Sequence, residues 1–151
     1  MQIEVLPDAS AVAARAAARI AAEARAAVQA RGAFVFAVSG GHTPWLMLRR
    51  LADEDIPWAK VQLFQVDERV APPGSVDRNL THIQESLLAH VSLAPAQVHA
   101  MAVEAADLDA AARDYAARLT TLAGSPPVLD LVHLGLGADG HTASLVPGDA
   151  V

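Results

Sequence analysis

Apolar residues along the chain gather in short dense runs, separated by longer stretches where they recur every third or fourth position. Ala33-Phe34-Val35-Phe36-Ala37-Val38 reads as a strand covered on both faces, as a parallel sheet requires; Val61-Gln62-Leu63-Phe64-Gln65-Val66 reads as the next strand and Val128-Leu129-Asp130-Leu131-Val132-His133-Leu134 as a buried one. Val98 to Met101 is a shorter candidate, and Gln2 to Leu6, alternating and closed by Pro7, reads as an edge strand. Helical spacing fills the gaps. Asp8 or Ser10 caps a first helix that presents Val12, Ala16, Ile20 and Ala27 on one face and ends at Gly32. Thr43 as N-cap and Pro44 at the first helical position open a second, running to Arg50 or Leu51. A third begins near Asn79 and is marked by Leu80, Ile83, Leu87 and Val91. A fourth begins at Asp107 or Asp109, buries Leu108, Ala112, Tyr115, Leu119 and Leu122, and stops at Gly124.

Strands alternating with helices predict an α/β fold with a mostly parallel sheet and right-handed crossovers. In such a sheet the C-terminal strand ends share one edge, and ligands bind there where the strand order reverses. Three segments leave predicted strands directly: Ser39-Gly40-Gly41, Asp67-Glu68-Arg69 and Asp139-Gly140-His141. Alone, each has a bland explanation as an ordinary turn or a solvated strand end. Brought to one rim, they offer a double-glycine helix entry suited to phosphate, a guanidinium beside two carboxylates, and an imidazole able to exchange protons near neutrality.

Composition narrows the ligands. The 151 residues suit one domain, and the 53% apolar content is inflated by alanine. Eleven basic against 17 acidic residues give a net charge of -6, which argues against nucleic acid as partner and requires any anion to be held locally. Cysteine is absent, excluding disulfides and thiolate metal sites and fitting a reducing compartment. No apolar run approaches the roughly 18 residues that a membrane span needs. Ala9 to Arg31 imitates a transit peptide, but Glu4, Asp8 and Glu23 spoil the pattern, so a cytoplasmic protein is expected. His42, His82, His90, His99, His133 and His141 show no metal-ligand spacing, and the glycine loop is neither a Walker A loop nor a dinucleotide fingerprint, so neither metal nor nucleotide cofactor is expected.

Ser39-Gly40-Gly41 with Thr43-Pro44, Asp67-Glu68-Arg69-Val70, Asn79, and above all Gly135-Leu136-Gly137-Ala138-Asp139-Gly140-His141-Thr142-Ala143-Ser144-Leu145-Val146-Pro147-Gly148 resemble the glucosamine-6-phosphate isomerase/6-phosphogluconolactonase family, in its lactonase branch. The resemblance implies a Rossmann-like three-layer α/β/α sandwich and hydrolysis of 6-phosphoglucono-δ-lactone to 6-phosphogluconate in the pentose phosphate pathway, without a cofactor. It makes His141 the general base, with Asp139 orienting the imidazole or contacting the sugar and Arg69 binding oxygens at the site. Ser39, Gly40, Gly41 and Thr43 would hold the phosphate, Asp67 and Glu68 would bind hydroxyls or Arg69, and backbone N–H groups from Gly137 to Gly140 would meet the oxyanion. Val146 stands where lactonases usually carry Phe, and Arg78 where they often carry Ser, which could add a phosphate contact. The family also continues well past Val151, so residues 1–151 read as the N-terminal part of a longer lactonase domain, truncated at the C-terminus. The deaminase branch expects an acidic residue at the Val146 position and an aromatic one at Arg69. A non-catalytic sugar-phosphate binding module is the remaining alternative, and the oligomeric state is open.

Overall fold

Strand β1 (Phe34–Val38) is buried along its whole length, and its side chains feed two different cores. The computed structural model describes residues 2–149, apart from the side chain of His42. Because side chains alternate along a strand, Phe34, Phe36 and Val38 face a large cluster with α1 (Ala9–Arg31), α2 (His42–Leu51) and α3 (Asn79–Ser86). Val35 and Ala37 face a smaller one, with Phe64 and with Tyr115, Leu119 and Ala123 of α4 (Leu108–Ala123). Helices thus cover both faces of the sheet. The three-layer α/β/α arrangement expected from the sequence is present.

The sheet has four strands in the order β3-β2-β1-β4, formed by β2 (Val61–Gln65), β3 (Val98–His99) and β4 (Leu131–His133) around β1. All pairings are parallel, with Phe36 opposite both Leu63 and Leu131, and Val38 opposite Gln65 and His133. From β1 the chain steps outward to β2 and β3, then crosses back to place β4 on the other side of β1. The strand order therefore reverses between β1 and β4, and their C-terminal ends flank the crevice that such a reversal opens.

Several boundaries differ from expectation. Residues 2–6 form no strand: Ile3 and Val5 are exposed, and nothing offers them a ladder partner among the described residues. In α1 the buried stripe is Ala13, Ala17, Ile20, Ala21, Ala24 and Ala27, while Val12 is exposed. Apart from Ile20, small side chains lie where the helix comes close to its neighbours. Asp8 does cap it, accepting from the Ala11 N–H at 2.8 Å, and Gly32 ends it in the left-handed conformation. Helix α2 starts at His42 with Gly41 as N-cap, two residues earlier than a Thr43 cap allows. Helix α3 ends at Ser86, and a short 3₁₀ turn over Leu88–His90 replaces its expected last turn. In α4, Leu108, Ala112 and Leu122 stay exposed, so its packed side is Tyr115, Leu119 and Ala123. No helix among the described residues is long and apolar enough to cross a membrane. Val151, where the truncation was read, lies outside the described residues.

Candidate active site

The three strand exits converge as the parallel sheet demands, and they line one cleft of about 430 Å³. Ser39, Gly40, Gly41 and Thr43 enter it from β1, Asp67 and Arg69 from β2, and Gly137, His141 and Ser144 from the segment after β4. Ser39 N–H donates to the His133 carbonyl at 3.2 Å, continuing the β1–β4 ladder into the loops and holding the glycine entry beside the histidine loop.

At the first exit, Gly41 caps α2 with φ 110°, a backbone conformation that side chains disfavour. No side chain caps the helix, so its N-terminal dipole opens into the cleft and favours an anion there. Gly40 is required for space: a Cβ at this position would overlap the Asn79 carboxamide.

The histidine loop is folded on itself. Gly137 N–H donates to the His141 carbonyl at 2.8 Å, Gly140 N–H to the Gly137 carbonyl at 3.0 Å, and Thr142 Oγ1 to the Gly135 carbonyl at 2.7 Å. The imidazole lies directly over Gly137, where a Cβ would strike the ring. Asp139 Oδ1 takes the Nδ1 side of His141 at 2.6 Å and also accepts the His141 backbone N–H at 3.2 Å. The backbone N–H first, and the imidazole with it, hold the Asp139 carboxyl below its usual range despite slight desolvation. A carboxylate on Nδ1 fixes the tautomer with its proton there and leaves the Nε2 lone pair for chemistry. Of the N–H groups expected to meet an oxyanion from Gly137 to Gly140, those of Gly137 and Gly140 are spent inside this turn.

The charged triplet after β2 divides three ways. Arg69 is exposed, lines the cleft, and makes no ion pair among the described residues. Asp67 is half-buried; one carboxylate oxygen accepts from Ser144 Oγ, and the other faces Asn79 Nδ2 at 3.4 Å. Glu68 turns inward, its side chain 0% exposed. It accepts from the backbone N–H groups of Arg69, Asn79 and Leu80 and from Gln65 Nε2, with Arg78 Nε at 3.6 Å. Burial by itself pushes the Glu68 carboxyl up, and the hydrogen bonds outweigh it, so the group ends below its ordinary range. Arg78, 3% exposed at its side chain, pairs with Glu68 and Glu104. Neither Glu68 nor Arg78 lines the cleft, so these two expected ligands instead hold the start of α3 against the β2 exit.

Lining residues that were not anticipated include Val76 and Asp77 of the loop before α3 and two rings, Trp45 and His82. Trp45 and His82 stack with ring centroids 3.7 Å apart and wall the cleft between α2 and α3. His82 Nε2 meets the Val76 carbonyl at 2.7 Å, tying down the irregular loop before α3. The sequence signal of the two rings was position: each lies within a turn of a helix start at the ligand edge. No group of three metal-ligating side chains occurs among the described residues; the His42 side chain lies outside them.

Comparison with known proteins decides the family. A model of the glucosamine-6-phosphate isomerases/6-phosphogluconolactonase family matches residues 7–151. The chain belongs to this family. It is 40% identical over 154 residues to the 6-phosphogluconolactonase of Mycobacterium tuberculosis, covering 96% of this chain and 62% of that protein. Against the 6-phosphogluconolactonase of Synechocystis the identity is 36%, over 97% of this chain and 62% of the relative. The solved 6-phosphogluconolactonase of Trypanosoma brucei superposes with TM-score 0.84 at 29% identity, covering 98% of this chain and 64% of that one. This family member therefore spans about three fifths of the length of the curated relatives it matches.

Proposed function

We propose that the cleft hydrolyses 6-phosphoglucono-δ-lactone to 6-phosphogluconate, with His141 as general base. The observation that carries this reading is the Asp139–His141 pair, whose imidazole opens on the same cleft as the uncapped N-terminus of α2. The phosphate sits at Gly40, Gly41 and Thr43, and this anchorage turns attack on the ring into a positioned event. His141 Nε2 takes a proton from water as its oxygen adds to the lactone carbonyl. The tetrahedral intermediate then expels the ring oxygen, which receives that proton from the imidazolium. Arg69, the exposed cation of the cleft, meets oxyanion or phosphate charge. Lactonases among the relatives support the same substrate. The absence of cysteine and of a membrane-crossing helix among the described residues fits action in the cytoplasm.

Lactone opening measured against ammonia release from glucosamine-6-phosphate separates the two branches of the family. His141→Ala should keep affinity for 6-phosphogluconate and lose roughly 10² to 10⁴ in rate. Ammonia release by the wild type, or a His141→Ala variant of full activity, overturns the reading.

A further inference from the structure

Directly after His141 the chain makes a tight turn. Thr142 and Leu145 form an isolated antiparallel bridge, with Thr142 N–H to the Leu145 carbonyl at 3.2 Å and Leu145 N–H to the Thr142 carbonyl at 2.8 Å. The two residues between them, Ala143 and Ser144, have φ 52° and 62°. Positive φ at both central positions is the geometry of a type I′ turn, for which Asn-Gly is the favoured pair. Here both residues carry a Cβ, and each is disfavoured in the left-handed region. These are the non-glycine residues with positive φ among those described, and they lie two and three places from the base.

Such a conformation persists only when its surroundings over-determine it. The restraint outside the loop is the hydrogen bond from Ser144 Oγ to Asp67 Oδ2, which joins positions 77 residues apart. Asp67 is itself held: Asn79 Nδ2 donates to its backbone carbonyl at 3.0 Å, and Asn79 N–H is fixed by the buried Glu68 carboxylate at 2.7 Å. The same Asn79 carboxamide packs against Gly40 of the phosphate entry. One continuous set of contacts therefore runs from the anion-binding entry, through Asn79 and Asp67, to the turn that follows His141.

We propose that Ser144 is a positioning residue: its hydroxyl latches a strained type I′ turn to Asp67 and so sets the distance between the His141 imidazole and the phosphate entry. Ser144 does not attack substrate, since its proton is directed to Asp67 and it lacks a neighbouring imidazole acceptor among the described hydrogen bonds. The proposal rests on the lactonase reading for its kinetic consequence but not for its structural one. Attack on a carbonyl by a poised water depends steeply on placement, and a shift of about 1 Å costs about 10²-fold in rate.

The test uses Ser144→Ala, which keeps the Cβ and deletes the latch, and Ser144→Gly, which also removes the objection to positive φ. Both are made in the natural polypeptide. Both should lower kcat by about 10²-fold while KM moves less than about threefold, the signature of a group acting on the reaction step and not on substrate affinity. Ser144→Gly combined with Asp67→Ala should lose no more than the worse single variant, because Asp67→Ala already deletes the bond that Ser144→Gly removes. Amide exchange at Thr142 and Leu145 should accelerate in either Ser144 variant. A Ser144→Gly enzyme with wild-type kcat, a change confined to KM, or additive losses in the double variant overturns the proposal. If the wild type opens no lactone, the lactonase reading fails, and amide exchange alone judges the latch: unchanged protection in Ser144→Gly overturns it, and faster exchange upholds it.

Discussion

Glu68→Gln is the most informative single change to the scaffold under the cleft. Each Glu68 oxygen accepts two donors: Oε1 from Arg69 N–H at 2.8 Å and Asn79 N–H at 2.7 Å, Oε2 from Leu80 N–H at 2.9 Å and Gln65 Nε2 at 2.8 Å. Glutamine has the same shape, but its NH₂ must replace one oxygen and then faces two N–H groups. Each donor stranded in this way costs about 1–3 kcal/mol. Arg78 simultaneously loses its buried partner and keeps only the half-exposed Glu104. Together these give a loss of about 3–5 kcal/mol, the range for breaking a buried pair from one side, against a total stability of about 5–15 kcal/mol for a domain. Urea unfolding followed by circular dichroism measures it. The pH dependence has a definite sign. Because the folded carboxyl lies below its ordinary value, its contribution is complete above the unfolded carboxyl pKa of about 4.3 and fades as pH falls through the folded value. The deficit of Glu68→Gln relative to wild type must therefore shrink on acidification. Adding Arg78→Met should recover part of the loss, since removing both charges avoids an orphan. A deficit below about 1 kcal/mol, the level of an exposed ion pair, would refute the buried-staple assignment.

Two further changes probe the rim. Gly40→Ala forces a Cβ onto the Asn79 carboxamide and should destabilise the fold by about 1–3 kcal/mol; calorimetric titration with 6-phosphogluconate should show weakened binding, and unchanged affinity with unchanged melting would contradict the close approach. Asp139→Asn should lower kcat by about 10²-fold at constant KM by releasing the ring from one tautomer and orientation, and ¹⁵N chemical shifts of the imidazole should change from a single tautomer to a mixture. Since the Asp139 carboxyl lies below its usual range, the wild-type pair should retain its ionised carboxylate into mild acid, and a pH–rate profile read against the variant checks this.

What was legible in the chain was what neighbouring residues build together. The double glycine before α2 and the Gly137-to-His141 turn are local chemistry, so the sequence order already carries their shape. The β1 run was equally plain because burial on both faces leaves it no polar position, whereas the run over 128–134 pairs only across Leu131–His133 and leaves Val128, Val132 and Leu134 exposed. The charge triplet was harder, because consecutive residues at a strand exit point in different directions. Only the packed structure decides that Glu68 turns under α3 while Arg69 turns out. In α1, alanine on every side removes the contrast between faces, and close approach, not hydrophobicity, selects the stripe. Ser144 and Asp67 could not be paired by pattern at all, since no periodicity links positions 77 apart.

The charge balance poses a last physical question, because under the proposed function a chain of net charge -6 must admit a phosphate ester. Ionic screening at physiological salt confines exposed charges to a reach of about 8 Å, so a ligand in the cleft responds to the residues that line it. Asp67 and Asp77 lie there and oppose it, while Arg69 and the open end of α2 favour it. The hydrogen bonds from Ser144 and Asn79 direct positive dipoles at the Asp67 carboxylate and weaken its field toward the cleft. The contacts proposed to set the histidine turn would therefore also reduce the repulsion of a bound anion, which would tie binding and proton transfer to the same few side chains.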